Sequence, residues 1–323
     1  IDSSSFLNTY ETTLSIFRSY SSYPEKQSGY YDLIQLVTHE DRSVRDAASI
    51  SIGYVFQHFP DEVKVLAQKE LMSLLDDERF DFKDRLIISM GNAFSSFPDK
   101  ENAWNVLHQY LKNGDESIRK GVAFSIGDAC PDLPFPEKSL RDLLILAQDE
   151  SDSVRMGAAH SLGFIYSHID KDSKILDSLK ILTNDSDGYV RNRANYSLGK
   201  ICIYEASKTE DEAILEELVE KAVVHFEKAA IEDCYVNPAE FCSLFYRSFS
   251  EVIFRKQNSR EEIEKYILNA KSIAKDSTNK RRLIKVVENL SDVLFSAQEP
   301  YKIGIESKVE LVSYCRKQCV YAE

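Results

Sequence analysis

Apolar residues along the first two thirds of the chain fall into a repeating pattern. Five segments align on Ser-x-Gly: Ser51 and Gly53, Ser89 and Gly91, Ser125 and Gly127, Ser161 and Gly163, Ser197 and Gly199, with the glycines 38, 36, 36 and 36 residues apart. Eight residues before each glycine stands a base, Arg45, Lys83, Arg119, Arg155 or Arg191, and directly before the base an apolar residue, Val44, Phe82, Ile118, Val154 or Val190. Twelve residues before the base comes Leu33, Leu71, Leu107, Leu143 or Leu179, and nine before it Leu36, Leu74, Tyr110, Leu146 or Leu182. A spacing of three places each pair on one helical face. The apolar residue before the base, the small residues after it and Ile52, Met90, Ile126, Leu162 or Leu198 mark a face on a second helix. The pattern predicts two amphipathic helices per repeat, joined by a polar turn such as 39–43 or 149–153, whose Asp and Ser side chains cap the incoming helix.

One hairpin of this size cannot bury its apolar face alone, so the repeats must stack. The expected fold is all-α: a right-handed α-solenoid of stacked antiparallel helix pairs over residues 25–205, with each glycine placed where one helix crosses another. Residues 1–24 are expected to supply a capping helix, with Phe6, Leu7, Tyr10, Leu14 and Phe17 in one stripe. Over 206–323 the signature is lost, but helical patterning continues through about 210–232, 238–256, 259–276 and 279–298, with Pro238 a good helix start. That C-terminal extension reads either as degenerate repeats or as a helical domain, with 301–323 as a last helix or tail.

The strings DRSVRDAASISIG (41–53), DESIRKGVAFSIG (115–127), SDSVRMGAAHSLG (151–163) and DGYVRNRANYSLG (187–199) resemble HEAT repeats of the short, regular kind also found in bilin lyases. The second repeat, RFDFKDRLIISMG, departs from the type, with Phe82-Lys83 for Val-Arg and with Arg85 and Leu86 at the small positions, so looser or rotated stacking is expected there. The resemblance implies that turn acids and repeat bases form a ladder between adjacent repeats. Two C-terminal segments, 236–249 and 286–298, are similar to parts of some archaeal HEAT-repeat proteins.

The 323 residues are 43% apolar and 29% charged, enough for a large core, and 40 Lys and Arg against 53 Asp and Glu leave a net charge of −13. Residues 1–205 hold 22 bases and 32 acids (22 − 32 = −10), and the remainder 18 and 21 (18 − 21 = −3). Such a chain repels phosphate backbones and anionic membranes, which disfavours nucleic acid and membrane partners. No stretch approaches the roughly 20 apolar residues of a membrane span, and the start lacks the basic and apolar regions of a secretory signal, so a cytoplasmic location is expected. The first residue is Ile1 rather than Met, which suggests a fragment of a larger protein that carries other parts. The six cysteines are sparse and read as reduced thiols.

Catalytic and cofactor motifs are missing: there is no phosphate-binding glycine loop, dinucleotide fingerprint or His-Glu-x-x-His. Deoxyhypusine hydroxylases build a di-iron site from repeated His-Glu pairs on HEAT scaffolds. Here His39-Glu40 stands alone, against Asp77-Glu78, Asn113-Gly114, Asp149-Glu150 and Asp185-Ser186 in the other turns. Cys315 and Cys319, four apart, with Cys234 and Cys242, make a four-thiol metal site conceivable, but buried apolar thiols are the better reading. Cys130 and Cys202 share the repeat position of Phe56, Phe94 and Tyr166 and read as core. Lys280, Arg281, Arg282 and Lys285 read as a solvated helix start, and the solitary Trp104 in acidic surroundings does not suit a DNA glycosylase. The expected protein is therefore not an enzyme and holds no metal or cofactor.

Stacked hairpins make curved surfaces that hold peptides or domains, and the second helix of each pair is expected to line the inner one. The contact stripe assigned from the sequence sits 14, 11 and 7 residues before each base, on the helix of the leucines. From it Tyr31, Lys69, Met72, Asn105, His108, Arg141 and Lys180 are the candidate partner-binding residues. The expected function is a non-enzymatic protein-binding scaffold or sensor segment. Charge reversal at Lys69, Arg141 and Lys180 together is expected to weaken capture of a protein or peptide partner. The alternatives are a lyase-like or accessory enzyme of the bilin lyase type and a nucleic-acid-binding HEAT-like protein.

Overall fold

The computed structural model describes Ser15 and residues 26–320, except 78–79, 134–135, 170–171, 233, 235–237, 256–258, 276–279 and 297–306. The expected capping helix with Phe6, Leu7, Tyr10, Leu14 and Phe17 lies outside the described residues, as do Glu78 and the side chains of Cys319, Lys280, Arg281 and Arg282. The described residues contain fifteen α-helices, a few short 3-10 turns and no strand. The chain divides into two compact units, Ile1–Ile169 and Asp170–Glu323, a division that falls within the 25–205 repeat stretch.

Among its described residues unit 1 is built of four hairpins. Its first helices are α1 (Lys26–Val37), α3 (Asp61–Asp76), α5 (Lys100–Gln109) and α7 (Pro136–Leu146); its second helices are α2 (Arg42–Val55), α4 (Lys83–Ala93), α6 (Glu116–Ala129) and α8 (Asp152–Ile165). The turns behave as the sequence requires: Asp41 accepts from the Ser43 amide at 2.8 Å and Asp115 from the Ser117 amide at 2.8 Å, which satisfies free donors at helix starts. Phe82, at the same place before α4, has no such oxygen. The buried column on each first helix runs twelve and eight residues before the base, through Leu33 and Val37, Leu71 and Leu75, Leu107 and Leu111, and Leu143 and Ala147. The column nine before the base is buried as expected at Leu146 and Leu182 and half-buried at Leu36, Leu74 and Tyr110, where a spacing of four points more squarely at the core.

Second helices meet through main chain. A Cβ added to Gly53 would lie 2.5 Å from the Ser89 carbonyl oxygen, one on Gly91 2.7 Å from Ser125 Cα, and one on Gly127 2.7 Å from Ser161 Cβ. Each Ser-x-Gly motif is thus half of a joint, with the glycine of one repeat receiving the serine of the next. Ser89 donates to the carbonyls of Ser49 and Ile50, and Ser125 donates to the Ile87 carbonyl at 2.6 Å. The second repeat stacks as closely as its neighbours despite Arg85 and Leu86, contrary to the looser packing expected. Leu86 is fully buried, and Arg85 turns outward to bond Asp46 at 2.9 Å.

The implied ladder of acids and bases is present. Arg119 Nη1 donates to the carbonyls of Asn113 and Gly114 in its own repeat, while Nε and Nη2 reach Asp149 of the next at 2.8 and 2.9 Å. Arg45 does the same with the carbonyls of His39 and Glu40 and with Asp81, and holds the Asp81 carboxyl below the usual range. Only a planar guanidinium can fork both ways, and Lys83 enters no ion pair among the described residues. His39 and Glu40 act here as turn residues, with the His39 ring accepting from the Asp41 amide at 3.0 Å.

Unit 2 comprises α9 (Ser173–Leu182), α10 (Gly188–Ala206), α11 (Glu212–Ala230), α12 (Pro238–Ser250, continued by a π-helical turn Glu251–Arg255), α13 (Ser259–Lys275), α14 (Lys280–Ser296) and α15 (Lys308–Val320). Arg191 repeats the ladder with Glu232 at 2.7 and 2.8 Å. The joint changes character, because an added Cβ on Gly199 would strike the Phe226 ring at 2.6 Å. Phe226 stacks on Tyr246 at 5.6 Å, within one core that includes Phe245, Phe249, Tyr266, Leu290 and Val312. Successive helices pack in order and α15 returns against α10, so unit 2 closes on itself. Lys308 pairs with Glu212 at 2.8 Å and Arg316 lies over the Tyr204 ring at 5.1 Å. Cys242 and Cys315 are buried in this core, and burial raises the Cys315 thiol far above its ordinary range.

Candidate functional site: the second-helix face of unit 1

First and second helices of unit 1 are spaced by different means. The second helices touch backbone to side-chain stem, as described above. Consecutive first helices are bridged instead by long side chains: Tyr30 to Glu70, Met72 to Asn102 at 3.2 Å, Tyr110 to the Leu75 carbonyl at 2.9 Å and His108 to Asp142 at 2.9 Å. The closer spacing is on the second-helix side.

Three rows of side chains line that side. Ile50, Ile88, Phe124 and His160, each three residues before a Ser-x-Gly glycine, form a half-buried central row. Two of its members, Ile88 and Phe124, lean on the next helix where that helix lacks a side chain. A Cβ on Gly121 would lie 3.6 Å from the Ile88 side chain, and one on Gly157 3.4 Å from the Phe124 ring. Phe124 and His160 hold their ring centres 5.3 Å apart. One turn further along each helix stand Tyr54 (47% exposed), Asn92, Asp128 and Phe164 (39% exposed), and one turn earlier Asp46, Asp84, Lys120 and Met156.

The charges of this face are unevenly satisfied. Arg85 bonds Asp46 at 2.9 Å and stands 3.7 Å from Asp84, whose carboxyl is raised by burial against the opposing pull of Arg85. Asp128 exposes its edge to water but lies among side chains that displace much of its hydration, and burial pushes it up to about 6. Among the described residues no hydrogen bond or ion pair engages it. Chemically, the face offers apolar and aromatic contact together with a carboxylate that no cation neutralises among the described residues.

The stripe assigned from the sequence lies elsewhere. Tyr31, Lys69, Met72, Asn105, His108 and Arg141 are on the first helices α1, α3, α5 and α7, so they do not line the second-helix face. Lys180 is on α9 of unit 2, beside Asp177 at 3.7 Å. Two of the six are engaged between repeats, Met72 with Asn102 and His108 with the buried Asp142. The repeat bases stand in the first turn of each second helix, and Gly53, Gly91 and Gly127 are interior. Cys130 is buried and its thiol pushed up to about 11 by burial; Trp104 is also core, and Lys285 is exposed. The signal for the second-helix face was in the sequence, at the positions three before and one after each signature glycine, where Ile, Phe, His and Tyr recur.

Residues 104–199 match the family model for HEAT repeats. No curated protein sequence matches the chain significantly. Among solved structures, an engineered protein is similar at 18% identity, over 61% of this chain and 96% of its own, with a TM-score of 0.38. The complex of CpcE and CpcF of phycocyanin lyase from Nostoc sp. PCC7120 is similar at 14% identity, over 81% of this chain and 93% of its own, with a TM-score of 0.40. The Pds5-Scc1 complex is similar at 13% identity, over 99% of this chain and 56% of its own, with a TM-score of 0.38. No helix among the described residues is long and apolar enough to cross a membrane.

Proposed function

We propose, on the premise that residues 104–199 are HEAT repeats and that the same joints carry the array back to Gly53, that the protein is a non-enzymatic scaffold that binds a protein partner along the second-helix face of unit 1. One observation carries this reading: the row of Ile50, Ile88, Phe124 and His160, bordered by exposed Tyr54 and Phe164, presents apolar surface on a closely packed and therefore rigid support. Rigid surfaces lose little entropy when a partner docks. Side chains already held by core packing need no further ordering, and contacts are spread over several repeats.

Site-specific photo-crosslinking in native lysate tests the reading. A crosslinker at Tyr54 or Phe164 is expected to trap a discrete partner, and one at Lys69 or Arg141 is expected to trap far less. The reverse result would return the binding surface to the first-helix stripe and end this proposal.

A further inference from the structure

We infer that the partner segment seated on the second-helix face is a cationic amphipathic peptide, which lays apolar side chains along Ile88 and Phe124 and sets a lysine or arginine against Asp128. This rests on the preceding reading of where partners bind and adds the chemistry of what binds there.

Charge complementarity selects the occupant. Of the three acids in the rows, Asp46 is bonded by Arg85 and Asp84 stands 3.7 Å from the same guanidinium, while Asp128 meets no cation among the described residues. The base on the same helix, Lys120, is eight residues away, roughly 12 Å along the axis, too far to neutralise Asp128. A neutral apolar segment covering the row would strip water from Asp128 without replacing it, and an acidic one would add repulsion. A lysine or arginine would neutralise it. Phe124, one turn before Asp128 on α6, and Phe164, in the same row on α8, offer ring faces on which the stem of such a side chain can lie. The net charge of −13 attracts the same class of segment from a distance.

Two synthetic helical peptides test this on the full chain. They share one leucine face, and their polar faces are Lys and Arg in one and Gln in the other; binding is followed by fluorescence anisotropy at physiological salt. The cationic peptide is expected to bind and the Gln peptide to bind at least about tenfold more weakly. Asp128→Asn, at an exposed edge that does not threaten folding, is expected to weaken the cationic peptide about tenfold, while Glu101→Gln on a first helix leaves it unchanged. Equal losses from Asp128→Asn and Glu101→Gln, or none from Asp128→Asn, would overturn the inference. If the Gln peptide binds as well as the cationic one and both weaken with Phe124→Ala, the face remains the binding surface and only the cationic class is lost. Failure of both peptides to respond to either position removes the face as well.

Discussion

At the scale of single residues, the joints between second helices depend on the absence of one atom. Gly91→Ala would place a methyl 2.7 Å from the backbone Cα of Ser125, and Gly127→Ala one 2.5 Å from the Ser161 hydroxyl oxygen. The gain in helix propensity, about 1 kcal/mol, is smaller than the cost of forcing packed helices apart, so each variant should lose about 2 kcal/mol in urea unfolding. Gly114→Ala is the control, because nothing lies within 4 Å of its added methyl. Gly91→Ala and Gly127→Ala should suffer alike, since the Ser125 Cα and the Ser161 Cβ, each 2.7 Å from the added methyl, cannot rotate away. Equal stability of all three proteins would mean that the helices are not in contact at the glycines.

At the scale of the helical element, what the sequence disclosed was the unit and the helix expected to line its inner surface, and what it withheld was which positions on that helix are shared with the neighbours. The Ser-x-Gly spacing, the turn acids and the first leucine column all predict their structural places, because each is fixed within one hairpin by local geometry. The inner face is a property of neighbours. It follows from glycines at 121 and 157 receiving side chains from the preceding helix, and the composition of a single helix does not reveal this. The column nine before the base is buried at Leu146 and Leu182 but only half-buried at Leu36, Leu74 and Tyr110 for a similar reason: three and four residues apart are both neighbours on a helix, and only the partner helix chooses between them. The arginine ladder is also an element-scale device and should be graded by burial. The Arg119 side chain is 8% exposed and Asp149 12%, so Arg119→Ala leaves a poorly solvated carboxylate and two carbonyls without their donor. A loss of about 2 kcal/mol is expected in chemical denaturation, and Arg45→Ala, whose partner Asp81 is 40% exposed, should lose visibly less. An equal loss from both would show that the carbonyl bonds, which the two arginines share, dominate the ladder.

At the scale of the whole chain, the two compact units reach stability by different routes. Unit 1 repeats one joint. Unit 2 begins with the same signature at Gly199 but fills the gap with the Phe226 ring, and ends with α15 packed back on α10. Sequence periodicity marked the loss of the signature near 205, and the return of α15 was not legible because it joins helices some 100 residues apart with no repeat to register them. Ending the chain at Ser307 removes Leu311, Val312 and Cys315 from the core of unit 2 and should lower its stability by about 5 kcal/mol. Hydrogen exchange resolved by segment would then quicken across α10–α14 and leave the amides of α2, α4 and α6 protected. Unchanged protection of α10 would mean that α15 is an ornament on a bundle already complete.

The joint of unit 1 also bears on how such a chain grows. Because one side of it is a bare glycine and the other a serine, which at Ser89 and Ser125 donates to main-chain carbonyls, the contact between successive second helices uses the same two residue types at each joint, whereas the bridges between first helices differ from repeat to repeat. A duplicated stretch of gene about 36 codons long would encode a hairpin whose second helix already matches both of its new neighbours. The array can therefore lengthen or shorten across generations in whole repeats, and the half-buried residues on its inner face remain free to diverge under selection for a partner.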